Sequence, residues 1–113
     1  MAALTLNDDI FDSAYYIMLS LGEPSHGYAI MQYVENLTYG VFKLGPATLY
    51  TTLKKLEKAG YIESVESSDS RRKLYELTEK GITALMDEIK KREMMARHGS
   101  EFIKRYCGGG ENV

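Results

Sequence analysis

One cysteine, two prolines, two histidines and no tryptophan stand in a chain of 113 residues. Cys107 has no second cysteine with which to close an internal disulfide. His26 and His98 are isolated from each other and offer no zinc-ligand spacing, so neither a disulfide framework nor a metal scaffold is expected. No run approaches the roughly 20 consecutive apolar residues that a bilayer span requires. Met1 to Asp9 carry acids where a secretory leader would carry bases. The expectation is a soluble, cytoplasmic protein.

Basic residues are missing altogether before Lys43, where the charged residues are Asp8, Asp9, Asp12, Glu23 and Glu35. From Lys43 to Lys73, seven bases stand against four acids. A net charge of −2 therefore speaks against indiscriminate polyanion binding, while its distribution concentrates positive charge in the middle third. Apolar residues make up 44% and charged residues 27%, ordinary for a globular chain and enough for one domain with a core. No nucleophile, base and orienting group can be assembled from the spacing, so an enzyme is not expected.

Phe11, Ala14, Tyr15 and Met18 recur at the helical period and predict a first helix over Asp8 to Leu21. Ile10, Ile17 and Leu21 widen its apolar surface beyond what one side of a small domain needs to cover. Gly22-Glu23-Pro24 ends it, and Ser25 is the expected N-cap of a second helix through Val34. Val41 to Leu44 reads as a brief strand. Gly45-Pro46 then opens a third helix, with Leu49, Leu53 and Leu56 on its core side and Thr48, Thr51, Thr52, Lys54, Lys55 and Lys58 falling largely elsewhere.

Gly60 is the expected stop of that helix. Tyr61 to Glu66 and Arg71 to Leu77 predict a hairpin joined by a turn at Ser67 to Ser70. Thr78 caps a final helix in which Ile82, Ile89, Ala96 and Ile103 repeat every seven residues, with Leu85 and Met86 beside the seam. Unbroken to Cys107, this helix would be about 45 Å long, more than one small domain can bury. His98-Gly99-Ser100 leaves open whether it continues or divides. Cys107 is a lone thiol without a cationic neighbourhood, and the glycines after it read as a frayed tail.

Helix, helix, short strand, helix, hairpin, helix is the order of a winged helix, whose third helix enters the major groove while the hairpin reaches adjacent backbone. Thr48, Tyr50, Thr51 and Lys54 cluster near the start of that helix, where hydroxyls and an ammonium can meet phosphates and base edges. Lys43 and Lys55 extend the basic set. Arg71, Arg72 and Lys73 follow the hairpin turn and suit phosphate or a narrow minor groove, with Glu66 and Asp69 as competing ion-pair partners. The plainer alternative is a solvated basic face. His26 reads as a hydrogen-bonding residue at a helix start.

Several ordered blocks carry a resemblance: Tyr15-Tyr16-Ile17, His26-Gly27-Tyr28-Ala29-Ile30, Leu44 to Tyr50, Leu53 to Gly60, and Asp69 to Gly81. Together they span about residues 10–86 and resemble the PadR family of bacterial and archaeal regulators. Ala47 stands where that family commonly has glycine. The resemblance implies a sequence-specific DNA-binding transcriptional repressor, homodimeric on a palindromic operator, with the last helix packed on the partner's first. Phe11, Tyr15, Met18, Ile82, Leu85, Ile89, Ala96 and Ile103 are the expected dimer residues.

Some short members of the family hold a flat aromatic molecule between subunits with the help of tryptophan, which this chain lacks. Phe11, Tyr15, Phe102 and Tyr106, with Met94 and Met95 nearby, are the candidate lining of such an effector pocket, the alternative being plain dimer core. The fold class is mainly α (α+β). A winged-helix DNA-binding domain is expected over 1–77, a dimerisation helix over 78–107 and a flexible tail over 108–113. No cofactor is implied. The rival function is a winged-helix protein-interaction module whose acidic first third meets a basic partner.

Overall fold

The computed structural model describes residues 10–66 and 72–108. Its elements are α1 (Asp12–Leu19), α2 (Gly27–Leu37), α3 (Pro46–Lys58), β1 (Ile62–Val65), β2 (Leu74–Leu77) and α4 (Glu79–Tyr106). This is the helix order and single hairpin of a winged helix-turn-helix, mainly helical with a two-stranded sheet.

Residues Ile10–Leu85 form one compact unit. Its core draws Ile17 and Met18 from α1, Ile30 from α2, and Leu49 and Leu53 from α3, with Ile62 and Tyr75 closing it from the hairpin. Met18, expected at a dimer surface, is wholly enclosed in this core. That is a correction: α1 is short and packs against both α2 and α3, so its extra apolar residues are covered from inside.

Three further differences have local causes. α1 spans Asp12–Leu19; the expected start at Asp8 lies outside the described residues, and the helix ends short of Leu21 because Ser20 turns its hydroxyl onto the Ile17 carbonyl at 2.6 Å and closes the last turn. Ser25 is not the N-cap of α2. Its N–H donates to the Tyr75 carbonyl at 3.0 Å and its carbonyl accepts from the Tyr75 N–H at 2.8 Å, which holds it in a bridge and moves the cap to His26. Val41 to Leu44 makes no strand. Thr38 accepts the Phe42 N–H at 3.0 Å, and the Phe42 ring lies 4.7 Å from that of Tyr16, so the segment is a closed turn.

α3 stops in a Schellman arrangement. The Tyr61 N–H returns to the Leu56 carbonyl, the Gly60 N–H returns to that of Glu57, and Gly60 takes φ +83. The hairpin pairs Ile62 with Leu77 and Val65 with Leu74 in antiparallel register. Thr78 then caps α4 as expected: its hydroxyl accepts the Gly81 N–H at 3.0 Å and donates to the Gly60 carbonyl at 2.6 Å. Gly81 is obligatory here, since a Cβ at that position would run into the Tyr61 backbone.

The second compact unit includes α4 from Met86 onward. α4 runs without a break through Gly99, so His98-Gly99-Ser100 neither ends nor caps a helix. Its 28 residues measure about 42 Å at 1.5 Å per residue. Glu88 holds Arg92 at 2.7 Å and Lys91 at 3.2 Å along the helix surface.

Candidate nucleic-acid interface

α3 carries the centre of the site. Pro46 occupies its first turn after Gly45, and Leu49, Thr52, Leu53 and Leu56 turn inward. At about 100° per residue the opposite side is the line Ala47, Thr51, Lys54 and Lys58, and all four are exposed. Thr48 and Lys55 flank this line on one side, Tyr50 on the other.

The flanks behave differently from the line. Lys55 holds its ammonium 5.5 Å from the centre of the Phe11 ring, a cation–π contact that directs it toward the start of α1. Tyr50 is half-exposed, and its hydroxyl end occupies the space that a side chain on Gly27 would need. It therefore works partly as a packing residue between α3 and the start of α2. Lys43 is exposed in the turn before α3, beside Gly40.

At the wing, Arg72 and Lys73 are exposed just ahead of β2, while Arg71 lies outside the described residues. Arg72 Nη1 stands 3.0 Å from His26 Nε2, linking the base of the wing to the cap of α2. Lys73 Nζ lies 5.8 Å from the centre of the Tyr75 ring. Between them opens a cleft of 440 Å³ lined by His26, Gly27, Tyr28, Tyr50, Arg72, Lys73 and Tyr75. Burial, followed by the Glu57 carboxylate and Tyr50, pushes the Tyr75 phenol above its ordinary range, so it stays neutral at physiological pH.

Reading residue types along the chain missed His26 and Tyr28 as members of this surface, and it set Lys58 on the side of Lys54 without counting it among the DNA-binding residues. Its place in the outward line could have been found by projecting α3 onto a wheel. The cleft could not, because it joins residues 26–28 to residues 72–75 through the Ser25–Tyr75 bridge. Among the described residues no group of His, Cys, Asp and Glu is arranged to hold a metal, and no helix is long and apolar enough to cross a membrane.

The remaining expected residues fall into two sets. In the first unit Phe11 and Ile82 are exposed, whereas Tyr15 and Leu85 are partly buried against the core. Along α4, Ala96 and Ile103 are exposed and Ile89 is half-buried. Phe102 and Tyr106 stack with ring centres 5.6 Å apart, one helical turn from each other.

A three-helix core whose third helix turns a line of lysines outward, followed by a hairpin with cations at its base, defines the winged helix-turn-helix class. The family model described as "Transcriptional regulator PadR-like family" matches residues 17–87, and the chain belongs to that family. The transcriptional regulator YqjI of Escherichia coli is 32% identical over 87 residues, covering 77% of this chain. The chain spans about 40% of the length of that curated relative.

Among solved structures, a transcriptional regulator from Clostridium thermocellum is 28% identical with a TM-score of 0.72, over 80% of this chain and 87% of that one. A PadR family transcription regulator from Clostridium difficile is 31% identical with a TM-score of 0.59, over 83% of this chain and 96% of that one.

Proposed function

We propose that the protein is a cytoplasmic, homodimeric repressor that binds a palindromic operator in double-stranded DNA. The observation that carries this reading is the outward line of α3, where Thr51 and Lys54 stand exposed opposite the buried side formed by Leu49, Thr52, Leu53 and Leu56. Thr51, near the helix start, suits base edges. Lys54, Lys58 and Lys43 suit phosphate, as do Arg72, Lys73 and Arg71 at the wing. Two such helices in a dimer meet successive major grooves about 34–36 Å apart.

Dimerisation is supported by the exposed apolar residues of α4, among them Met95, Phe102 and Ile103. In the dimer these residues face the partner chain, and an aromatic effector binds between subunits among Phe11, Tyr15, Phe102 and Tyr106.

Lys54→Ala tests the DNA surface. It should lower the slope of log affinity against log salt by about one unit, the loss of one phosphate contact. An unchanged slope would move the interface away from α3. Selection of genomic fragments at low salt separates this function from a protein-interaction module, which would enrich no sequence.

A further inference from the structure

We infer that the Phe11 ring is a brake on DNA binding: it holds the Lys55 ammonium at the start of α1 and so withholds one cation of α3 from the duplex. This rests on the DNA-binding reading above and adds a control that reading lacks.

α3 carries three lysines, and they are not placed alike. Lys54 and Lys58 lie in the outward line, while Lys55 lies about 40° round the helix from Thr51, near enough for its flexible stem to swing the charge to the same side. Its ammonium is found elsewhere, 5.5 Å from the centre of the Phe11 ring. The negative face of the ring attracts the cation, and because both side chains stand exposed, that attraction is modest and reversible.

The ring is held where it can act in this way. Ile10, directly before it, is buried in the core, and the Phe11 carbonyl accepts the Tyr15 N–H at 2.9 Å as the cap of α1, a helix that packs on α3. The backbone on both sides of the contact is thus fixed, and breaking it takes only side-chain movement. Phe11 is 46% exposed, so core packing uses only part of the ring.

Two other lysines near aromatic rings are placed differently. Lys80, 5.6 Å from the centre of the Tyr61 ring, also donates to the Ala59 carbonyl at 2.9 Å, which makes it a fixed cap on the end of α3. Lys73 and Tyr75 are two residues apart in the chain, so their contact joins nothing distant. Lys55 joins α3 to the start of α1.

The direction of the control follows from this geometry. Phe11 also belongs to the pocket proposed above for an aromatic effector, and the ring face that holds Lys55 takes one occupant at a time. A ligand stacked on that face evicts the ammonium, adds Lys55 to the cations that meet phosphate and tightens the complex. Phe11→Leu does the same without a ligand, since leucine fills space but offers no ring face.

The test uses the full chain and two unrelated duplexes, with affinity followed by fluorescence anisotropy and the Lys55 side chain by NMR. In the wild type the Lys55 ε-methylene protons should lie upfield of those of Lys54 under the ring current of Phe11, stay there in Phe11→Tyr and lose the shift in Phe11→Leu. Phe11→Leu should tighten binding to both duplexes by about two- to fivefold, the size of an exposed cation–π contact. That gain should vanish when Lys55→Gln is present in both proteins compared, and Phe11→Tyr should bind as the wild type does.

If Lys54→Ala weakens binding while Phe11→Leu leaves it unchanged, alters it equally with and without Lys55, or weakens it more with Lys55 than without, the brake is refuted and DNA binding by α3 stands. A wild type whose Lys55 protons show no ring-current shift refutes it too, even if Phe11→Leu fails to fold. If the wild type binds neither duplex at low salt, where electrostatic attraction is strongest, the DNA reading fails and the brake falls with it.

Discussion

The winged-helix unit and the far part of α4 handle apolar residues in opposite ways. In the unit Ile10–Leu85, Ile17, Met18, Ile30 and Leu49 are 0% exposed because three helices and a hairpin close on one another. Along α4 from Met86, Met95 stands 59% exposed, Phe102 53% and Tyr106 78%. Both regions show apolar residues at helical period in the sequence. Periodicity shows that a helix has an apolar side; it does not show whether that side is covered by the same chain.

Four measurements sharpen or break this contrast. The largest effect is expected from Leu53→Ala, which opens a cavity in the closed core and should cost about 3 kcal/mol in urea unfolding. Phe102→Ala should leave the unfolding midpoint of the isolated chain nearly unchanged and weaken association in sedimentation equilibrium. Equal destabilisation by both at low protein concentration would erase the distinction.

Gly81→Ala comes next. Its methyl would run into the Tyr61 backbone, which the core holds in place, so a loss of about 2 kcal/mol is expected by the same measurement. A neutral result would show that the first turn of α4 is loosely attached.

A smaller effect, of opposite sign, is expected at the end of α2. Tyr39 takes φ +52 with its side chain 95% exposed, a backbone state that disfavours a bulky residue and returns no packing. Tyr39→Gly should therefore stabilise the chain by about 1 kcal/mol. Loss of stability would mean that the Tyr39 ring has a covering not seen within the chain.

The smallest effect concerns pH. The Tyr75 phenol titrates above its ordinary value of 10.0 in the folded chain. Its contribution is fully present below that pH and is lost as pH rises through the folded value, because the unfolded chain releases the proton first. Tyr75→Phe should flatten the fall in stability above pH 10.0, and an unchanged profile would remove Tyr75 as its source.

Much of the fold was legible residue by residue. The stop at Gly60, the start at Pro46 and the cap at Thr78 follow from local chemistry and appear where expected, and the two strands pair as expected though shorter, at Ile62–Val65 and Leu74–Leu77, with the expected turn at Ser67 to Ser70 outside the described residues. The N-cap at Ser25 did not, because a strand-like bridge to Tyr75, 50 positions away, outcompeted the local capping bond. Likewise Val41 to Leu44 had strand-like composition but no strand to pair with, and Thr38 closed it into a turn.

The candidate site divides in the same way. The sequence alone determined which residues are cationic, which helix carries them and where that helix begins, since these depend on side-chain type and on interactions within a few residues. Only the tertiary structure decided that Lys55 turns to Phe11, that Met18 belongs to the core, and that His26 and Tyr28 share a cleft with Arg72 and Lys73. Those outcomes depend on which distant surfaces meet, and burial and hydrogen bonding across such surfaces outweigh local preference once the chain has closed on itself.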